Sequence, residues 1–124
     1  MPFTLRRIAS ALSFLATLAQ PVQADVSHKT TQDEAFGRVM AVIISNEIVP
    51  NDLDRLLALD AEVQAAETRM VMLASQGGDL GAAMEMGRFL RRYEFTAVIL
   101  DTHVCLSACV FLLAAGVDKK VQGV

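Results

Sequence analysis

The order of structural elements is clearest in residues 70–79, which read Met70-Val71-Met72-Leu73-Ala74-Ser75-Gln76-Gly77-Gly78-Asp79. The first five residues form a short apolar run, which predicts a buried β-strand. The two adjacent glycines predict a tight turn. Asp79 is a typical helix N-cap, and the apolar spacing after it predicts a helix. A buried strand, a glycine turn and a helix in this order indicate an α/β fold.

The same alternation continues on both sides of this stretch. Residues 39–44 and 96–100 are short, mostly β-branched apolar runs that predict two further strands. Asn51 is a candidate N-cap for a helix that extends to residue 63. Residues 104–116 are apolar nearly throughout, which predicts a buried core helix. Three strands separated by helical patterns favour a mainly parallel sheet.

Residues 1–24 have the pattern of a secretory signal peptide. Arg6 and Arg7 are followed by an apolar stretch over 8–19, and Val22-Gln23-Ala24 places small residues where a signal peptidase cleaves. The alternative is a membrane anchor, but crossing a bilayer takes about 20 apolar residues. We therefore expect cleavage after Ala24, a periplasmic or secreted protein, and no stable membrane anchor after cleavage.

Composition narrows the class of protein. The chain has 124 residues, of which 53% are hydrophobic, and its net charge is −3, which excludes a disordered chain. No basic face is evident, so we expect no nucleic-acid partner. Two cysteines are too few for a four-thiolate zinc site, and we expect neither a metal nor a cofactor. The polar residues 25–38 predict a loose lead-in, which leaves 39–124 as the folded domain.

Two segments contain candidate functional residues. The amides of Gly77 and Gly78, near a helix start, are suited to stabilising an anion or a developing oxyanion, although an ordinary turn capped by Asp79 gives the same pattern. Ser107 follows a strand and a turn, so it is either the N-cap of the next helix or a nucleophile with the Ala108 N–H as an oxyanion donor.

The cysteines and histidines leave further alternatives open. Cys105 and Cys109 are four residues apart, and in a regular helix their Cβ atoms lie too far apart for a relaxed disulfide. Pairing therefore requires Cys105 to lie off the helix; otherwise both are buried thiols. His28 is expected to be solvated. His103 is expected to be structural or exposed at a rim, because a base only four residues before Ser107 usually points away from it.

Taken in order, these motifs resemble the ClpP/crotonase superfamily. A strand, Ser75-Gln76-Gly77-Gly78, a helix and a strand precede a Cys-x-Ser-Ala-Cys-x-Phe-x-x-Ala-Ala-Gly segment over 105–116. The likeness covers 39–121. It is greatest to ClpP-like serine peptidases, in particular to a periplasmic ClpP-related bacterial group. It implies that Ser107 is the nucleophile, that the Gly78 and Ala108 amides form the oxyanion hole, and that Gly77 shapes the loop.

The sequence departs from this family at two points, and these departures lower the activity that we expect. Gln76 stands where the family has proline, so the loop lacks a fixed φ. The catalytic His and its acidic partner would fall after Val124 in this family. We therefore expect a truncated or degenerate serine hydrolase that lacks turnover as this chain, with peptide or protein substrates; homo-oligomerisation stays open. The alternatives are a non-catalytic module that binds peptides or carboxylates, and a crotonase-type thioester enzyme, which export disfavours.

Overall fold

The computed structural model describes residues 25–123, which form an α/β domain with one five-stranded sheet and four helices. The strands are β1 (Asp25–Asp33), β2 (Gly37–Ile48), β3 (Thr68–Gly78), β4 (Thr96–Ile99) and β5 (Asp118–Val121). The helices are α1 (Pro50–Leu57), α2 (Asp60–Ala65), α3 (Leu80–Arg92) and α4 (Cys109–Ala115). The predicted signal peptide lies outside the described residues.

The sheet is mainly parallel, as the alternation of strands and helices predicts. The strand order is β1-β2-β3-β4-β5, and every neighbouring pair from β2 to β5 is parallel. The predicted strands at 39–44, 70–74 and 96–100 correspond to β2, β3 and β4. The carboxyl ends of β2 to β4 therefore lie at one edge of the sheet, where ligand crevices open in parallel α/β folds.

The expectation of a loose lead-in over 25–38 is wrong, because most of it forms strand β1. This strand pairs antiparallel with β2, from Asp25 opposite Ser45 to Asp33 opposite Gly37. The side chain of Asp33 closes the connecting turn by accepting hydrogen bonds from the amides of Ala35 and Phe36. Backbone pairing with β2 stabilises β1 at the sheet edge. Its polar side chains are exposed, so its sequence lacks the apolar run that marks a buried strand.

The core lies between one face of the sheet and the helices. Alternate residues of the strands point into it, including Met40, Val42 and Ile44 of β2 and Val71 and Leu73 of β3. The helices contribute buried residues to the same cluster; they include Leu56, Val63, Met86, Leu90 and Leu112. Each connection between parallel strands thus buries a helical stripe on the sheet, which is the packing expected of an α/β domain.

The predicted helix over 51–63 is divided in two. Helix α1 begins at Pro50, which suits the first helical position because proline lacks the N–H that would be unpaired there. Its N-cap is Val49 rather than Asn51, and the Asp52 carboxylate accepts the Val49 N–H at 2.8 Å. In α3, by contrast, Asp79 is the N-cap, as predicted, and accepts the Ala82 N–H at 2.7 Å.

The apolar segment 104–116 is not a single buried helix. Only Cys109–Ala115 is helical, and residues 104–108 form a loop against β3. Helix α4 buries Cys109 and Leu112 but leaves Val110 and Phe111 exposed. The prediction of all-round burial is therefore wrong for half of this helix within the described chain. No helix between residues 25 and 123 is long and apolar enough to cross a bilayer.

Candidate functional site

The loop 104–108 extends the sheet beyond the end of β4. Strand β3 continues to Gly78, whereas its pairing with β4 ends at Met72. The loop takes the place of β4 there, since the Ser75 N–H donates to the Val104 carbonyl at 2.9 Å and the Leu106 N–H donates to the Ser75 carbonyl at 3.0 Å. These two bonds fix the loop against the carboxyl end of β3.

Gly77 lies directly against Ser107. A Cβ atom added to Gly77 would be 2.8 Å from the Ser107 Cβ and 2.9 Å from the Leu106 carbonyl oxygen. Gly77 also has a φ of 106°, which L-residues with side chains rarely adopt. The two segments that the sequence selected are therefore in contact, and glycine is required at the point of contact.

Ser107 is exposed and has a left-handed backbone with a φ of 53°. This conformation costs a non-glycine residue on the order of 1 kcal/mol, and such residues are concentrated at functional sites. Ser107 does not act as an N-cap, because α4 begins two residues later after Ala108 and has no side-chain cap. Its hydroxyl makes no hydrogen bond with another residue of the described chain.

A disulfide between Cys105 and Cys109 encloses this turn. Their Cα atoms are 5.2 Å apart, and Cys105 lies off the helix, as pairing at this spacing requires. Cys109 is fully buried at the start of α4, and Cys105 is bridged to Ser75 of β3. The disulfide therefore joins the helix to the sheet across three residues, of which Ser107 is the middle one.

The backbone amides near Ser107 differ in their availability. The Gly77 N–H donates to the Ser75 hydroxyl at 3.1 Å and is therefore occupied. Gly78 pairs with Ile48, and the next amide, that of Asp79, donates to the Ile48 carbonyl at 2.8 Å. Because the Ile48 carbonyl already accepts the Asp79 amide, the Gly78 N–H is a candidate donor for the oxygen of a ligand.

The Ala108 amide is the second candidate donor. It has no acceptor among the described residues, and its nitrogen would be 3.1 Å from a Cβ atom placed on Gly77. Ala108 itself is buried, whereas the preceding Ser107 is exposed. An exposed hydroxyl next to a free backbone amide is able to bind a carbonyl carbon and its oxygen.

Ser75 is a supporting residue that the sequence did not single out. It is completely buried, its hydroxyl donates to the Asn46 carbonyl, and it accepts the Gly77 N–H. Asn46 has a left-handed φ of 64° at a bulge in β2, between Ser45 and Glu47. The hydroxyl thus links the bulge of β2 to the glycine turn. A serine at the end of an otherwise apolar strand was the available signal for this role.

The structure brings neither histidine into hydrogen-bond contact with Ser107. His103 is exposed in the turn after β4, and its backbone amide donates to the Leu100 carbonyl at 3.0 Å. His28 is exposed on β1, opposite Val42, and β1 is separated from loop 104–108 by β2 and β3. Within residues 25–123, no group of three or more His, Cys, Asp or Glu side chains is placed to hold a metal ion.

In comparisons with known proteins, no family model matches this chain, and no curated protein is significantly similar to it. The resemblance to ClpP-like peptidases therefore depends on the quoted motifs and their order along the chain.

Proposed function

We propose that this protein is a ClpP-like serine hydrolase of the bacterial periplasm that acts on peptides, with Ser107 as its nucleophile. The observation that carries the proposal is the contact of Gly77 with Ser107, an exposed serine held in a left-handed turn by loop bonds and a disulfide. Strained, exposed serines beside free amides are typical of nucleophiles in hydrolases.

In this proposal the Ser107 Oγ attacks the carbonyl carbon of a peptide bond. The carbonyl π electrons move to the oxygen, which becomes negatively charged and accepts hydrogen bonds from the amides of Gly78 and Ala108. The C–N bond then breaks, the leaving amine takes the proton that the base removed from Ser107, and water releases the acyl group from the serine. One such donor is worth about 10²–10³ in kcat in hydrolases. Gly77 allows the close approach of the two segments, and Ser75 holds the Gly77 amide in place. These backbone groups require no cofactor.

Attack also requires a base that removes the hydroxyl proton. The resemblance implies a histidine on a later strand, beyond Val124, with an acidic partner after it. Without a base, the oxyanion hole and substrate binding accelerate the reaction only about 10³–10⁴-fold over water, which is a small part of the enhancement that a full triad gives. We therefore propose that the 124-residue chain turns over poorly and that an extension bearing this histidine restores turnover.

Export of the protein belongs to the same proposal. Two features support it: the pattern of residues 1–24, and the Cys105–Cys109 disulfide, because disulfides persist mainly in oxidising compartments such as the bacterial periplasm.

The second candidate function is a non-catalytic module that binds a peptide or its terminal carboxylate. It is favoured by one observation, which is that no side chain of the described chain hydrogen-bonds to the Ser107 hydroxyl. In this alternative the free amides of Gly78 and Ala108 bind the carboxylate, and Ser107 has no covalent role.

Labelling with a fluorophosphonate probe tests the proposal. The 124-residue chain should react slowly, and a version extended by the following codons of the gene should react quickly. Ser107→Ala should abolish labelling, whereas Ser27→Ala, which changes an exposed serine on β1, should leave it intact. An unreactive extended chain that binds peptide carboxylates would support the binding module instead. Fast Ser107-dependent labelling of the 124-residue chain would show that a base lies within it.

A further inference from the structure

Loop 104–108 is fixed to the sheet by few contacts besides the disulfide. Val104 and Leu106 are 55% and 54% exposed, so their side chains bury little apolar surface. Two backbone bonds to Ser75 hold these same residues against β3. A segment with so little apolar burial has low local stability, and a covalent cross-link therefore contributes a large part of its order.

The disulfide and a regular helix exclude each other at this spacing. Residues four apart in an α-helix have Cβ atoms about 5–6 Å apart, whereas a disulfide requires about 3.5–4.5 Å. Cys105 and Cys109 therefore bond only while the residues between them depart from helical geometry, and Cys105 lies in the loop before α4. The cross-link thus prevents α4 from beginning at Cys105.

The departure from helical geometry is located at Ser107. Ala108, which follows it, already has helical dihedral angles, with a φ of −56° and a ψ of −25°. Ser107 has a φ of 53°, and no other residue of loop 104–108 has a positive φ. Because serine is more stable in the right-handed than in the left-handed region, removal of the cross-link favours rotation of Ser107 into the helical region. Helix α4 would then extend by about one turn, from Cys109 back to Cys105.

This rotation would take Ser107 out of the candidate site. In the oxidised protein, Ser107 contacts Gly77 so closely that a Cβ atom on Gly77 would be 2.8 Å from the Ser107 Cβ. A helix that includes Leu106 also gives up the bond from the Leu106 N–H to the Ser75 carbonyl, which ties the loop to β3. We expect the reduced segment to move away from β3, so that the Ser107 hydroxyl no longer lies against the glycine turn.

We propose that the Cys105–Cys109 disulfide is a redox switch that assembles the Ser107 site only in the oxidised protein. In a reducing compartment the two thiols leave Ser107 free to join α4, and in an oxidising one their bond restores the turn against Gly77. A hydrolase built in this way is silent before export and becomes competent afterwards, because disulfides persist mainly in oxidising compartments. The inference rests on the proposed function, since it concerns the regulation of the same serine.

The oxidant that this switch requires is a second disulfide. Cys105 is partly exposed whereas Cys109 is fully buried, so the Cys105 thiolate attacks the oxidant first. A bond forms between the Cys105 Sγ and one oxidant sulfur, and the other oxidant sulfur leaves with the electron pair of the broken S–S bond and takes up a proton. The Cys109 thiolate then attacks the Cys105 Sγ and displaces the first oxidant sulfur as a second thiol. The two cysteine thiols thus lose two electrons and two protons, which the oxidant gains.

NMR of the protein before and after reduction with dithiothreitol tests the switch independently of activity. We expect the Cα chemical shift of Ser107 to move into the helical range on reduction and to return after reoxidation with oxidised glutathione. Glu94, which also has a left-handed backbone but lies after α3, is the internal control, and its shift should stay unchanged. Ser107→Gly should keep its left-handed shift after reduction, because glycine is not penalised in that region and is a poor helix former.

Fluorophosphonate labelling of the extended chain links the turn to the site. Reduction should slow the labelling of Ser107 about 100-fold, the loss that a misplacement of about 1 Å gives, and reoxidation should restore it. The double variant with Cys105→Ala and Cys109→Ala should label at the slow rate whether or not the reductant is present. Circular dichroism checks that the reduced protein and the double variant remain folded.

The two readouts distinguish failure of the switch from failure of the proposed function. A Ser107 shift that reduction leaves unchanged would overturn the switch whatever the labelling shows. Equal labelling of the oxidised and reduced proteins would also overturn it, and so would unfolding of the whole domain on reduction, which would identify a structural cross-link instead. A helical shift on reduction without labelling in either state would refute the hydrolase and still support redox control of the turn.

Discussion

Replacing Gly77 with alanine is expected to destabilise the fold and to disturb the candidate site together. The new Cβ would lie 2.8 Å from the Ser107 Cβ and 2.9 Å from the Leu106 carbonyl oxygen, and both are closer than unstrained contacts allow. Overpacking of this kind costs about 1–3 kcal/mol. The φ of 106° adds about 1–3 kcal/mol of backbone strain for a residue with a side chain.

The expected loss is therefore a large share of the free energy of unfolding of a small domain, which is about 5–15 kcal/mol. Each kcal/mol lowers Tm by about 4–8 °C in a domain of 60–100 residues. Thermal unfolding followed by circular dichroism should show a fall of at least about 10 °C for Gly77→Ala. Fluorophosphonate labelling of the fraction that stays folded should also slow, because loop 104–108 must move away from β3.

The matched control is Gly81→Ala in the first turn of α3. A Cβ at Gly81 would meet only the Asp79 Oδ2, at an ordinary 3.5 Å. Alanine in a helix is more stable than glycine by about 0.5–1 kcal/mol, so this variant should melt slightly above the wild type. If Gly77→Ala melted with the wild type and labelled at the same rate, the close contact between Gly77 and Ser107 would be refuted.

Three further measurements test separate parts of the account. Mass spectrometry of the exported protein should find an N-terminus at Asp25, and an intact leader would support the membrane anchor. The pKa of Tyr93 is raised by its hydrogen bond to Asp60, which stabilises the protonated phenol. Tyrosinate absorbance should therefore appear at lower pH in Asp60→Asn, and the signal belongs to Tyr93 alone because the chain has one Tyr and no Trp. Equal titrations of the variant and the wild type would contradict this bond. Changing Cys105 and Cys109 to serine should cost about 2 kcal/mol on the loop-entropy model and slow labelling of Ser107, whereas unchanged labelling would show that the disulfide does not position the serine.

Only those strands of the sheet whose side chains are buried were predictable from the sequence. Strands β2, β3 and β4 lie inside the sheet, so their apolar runs, which are rich in β-branched residues in β2 and β4, reveal them. Strand β1 is an edge strand with exposed side chains, and its stability comes from backbone bonds to β2 that leave no mark on residue type. The exposed side of α4 was not predictable either, because an apolar sequence indicates burial but does not identify the surface that buries it.

The candidate site was predictable in its position but not in its details. Parallel strands end at one edge, so the predicted sheet brings Gly77 and Ser107 to the same edge, and in the structure they are in contact. The left-handed backbone of Ser107 depends on how loop 104–108 packs against β3, which sequence spacing does not determine. The pairing of Cys105 with Cys109 stayed open for the same reason, because it requires the helix to begin only at Cys109.

A crystal structure of the extended protein with a peptide boronate would show whether Ser107 is the nucleophile. Boronates form a tetrahedral adduct with a serine hydroxyl, so that one boron-bound oxygen occupies the place of the oxyanion. We expect a bond from boron to the Ser107 Oγ, with the oxygen in the oxyanion position about 2.7–3.1 Å from the amide nitrogens of both Gly78 and Ala108. An adduct on Ser107 whose oxygens all point into solvent, or a boronate that never bonds to Ser107, would contradict it.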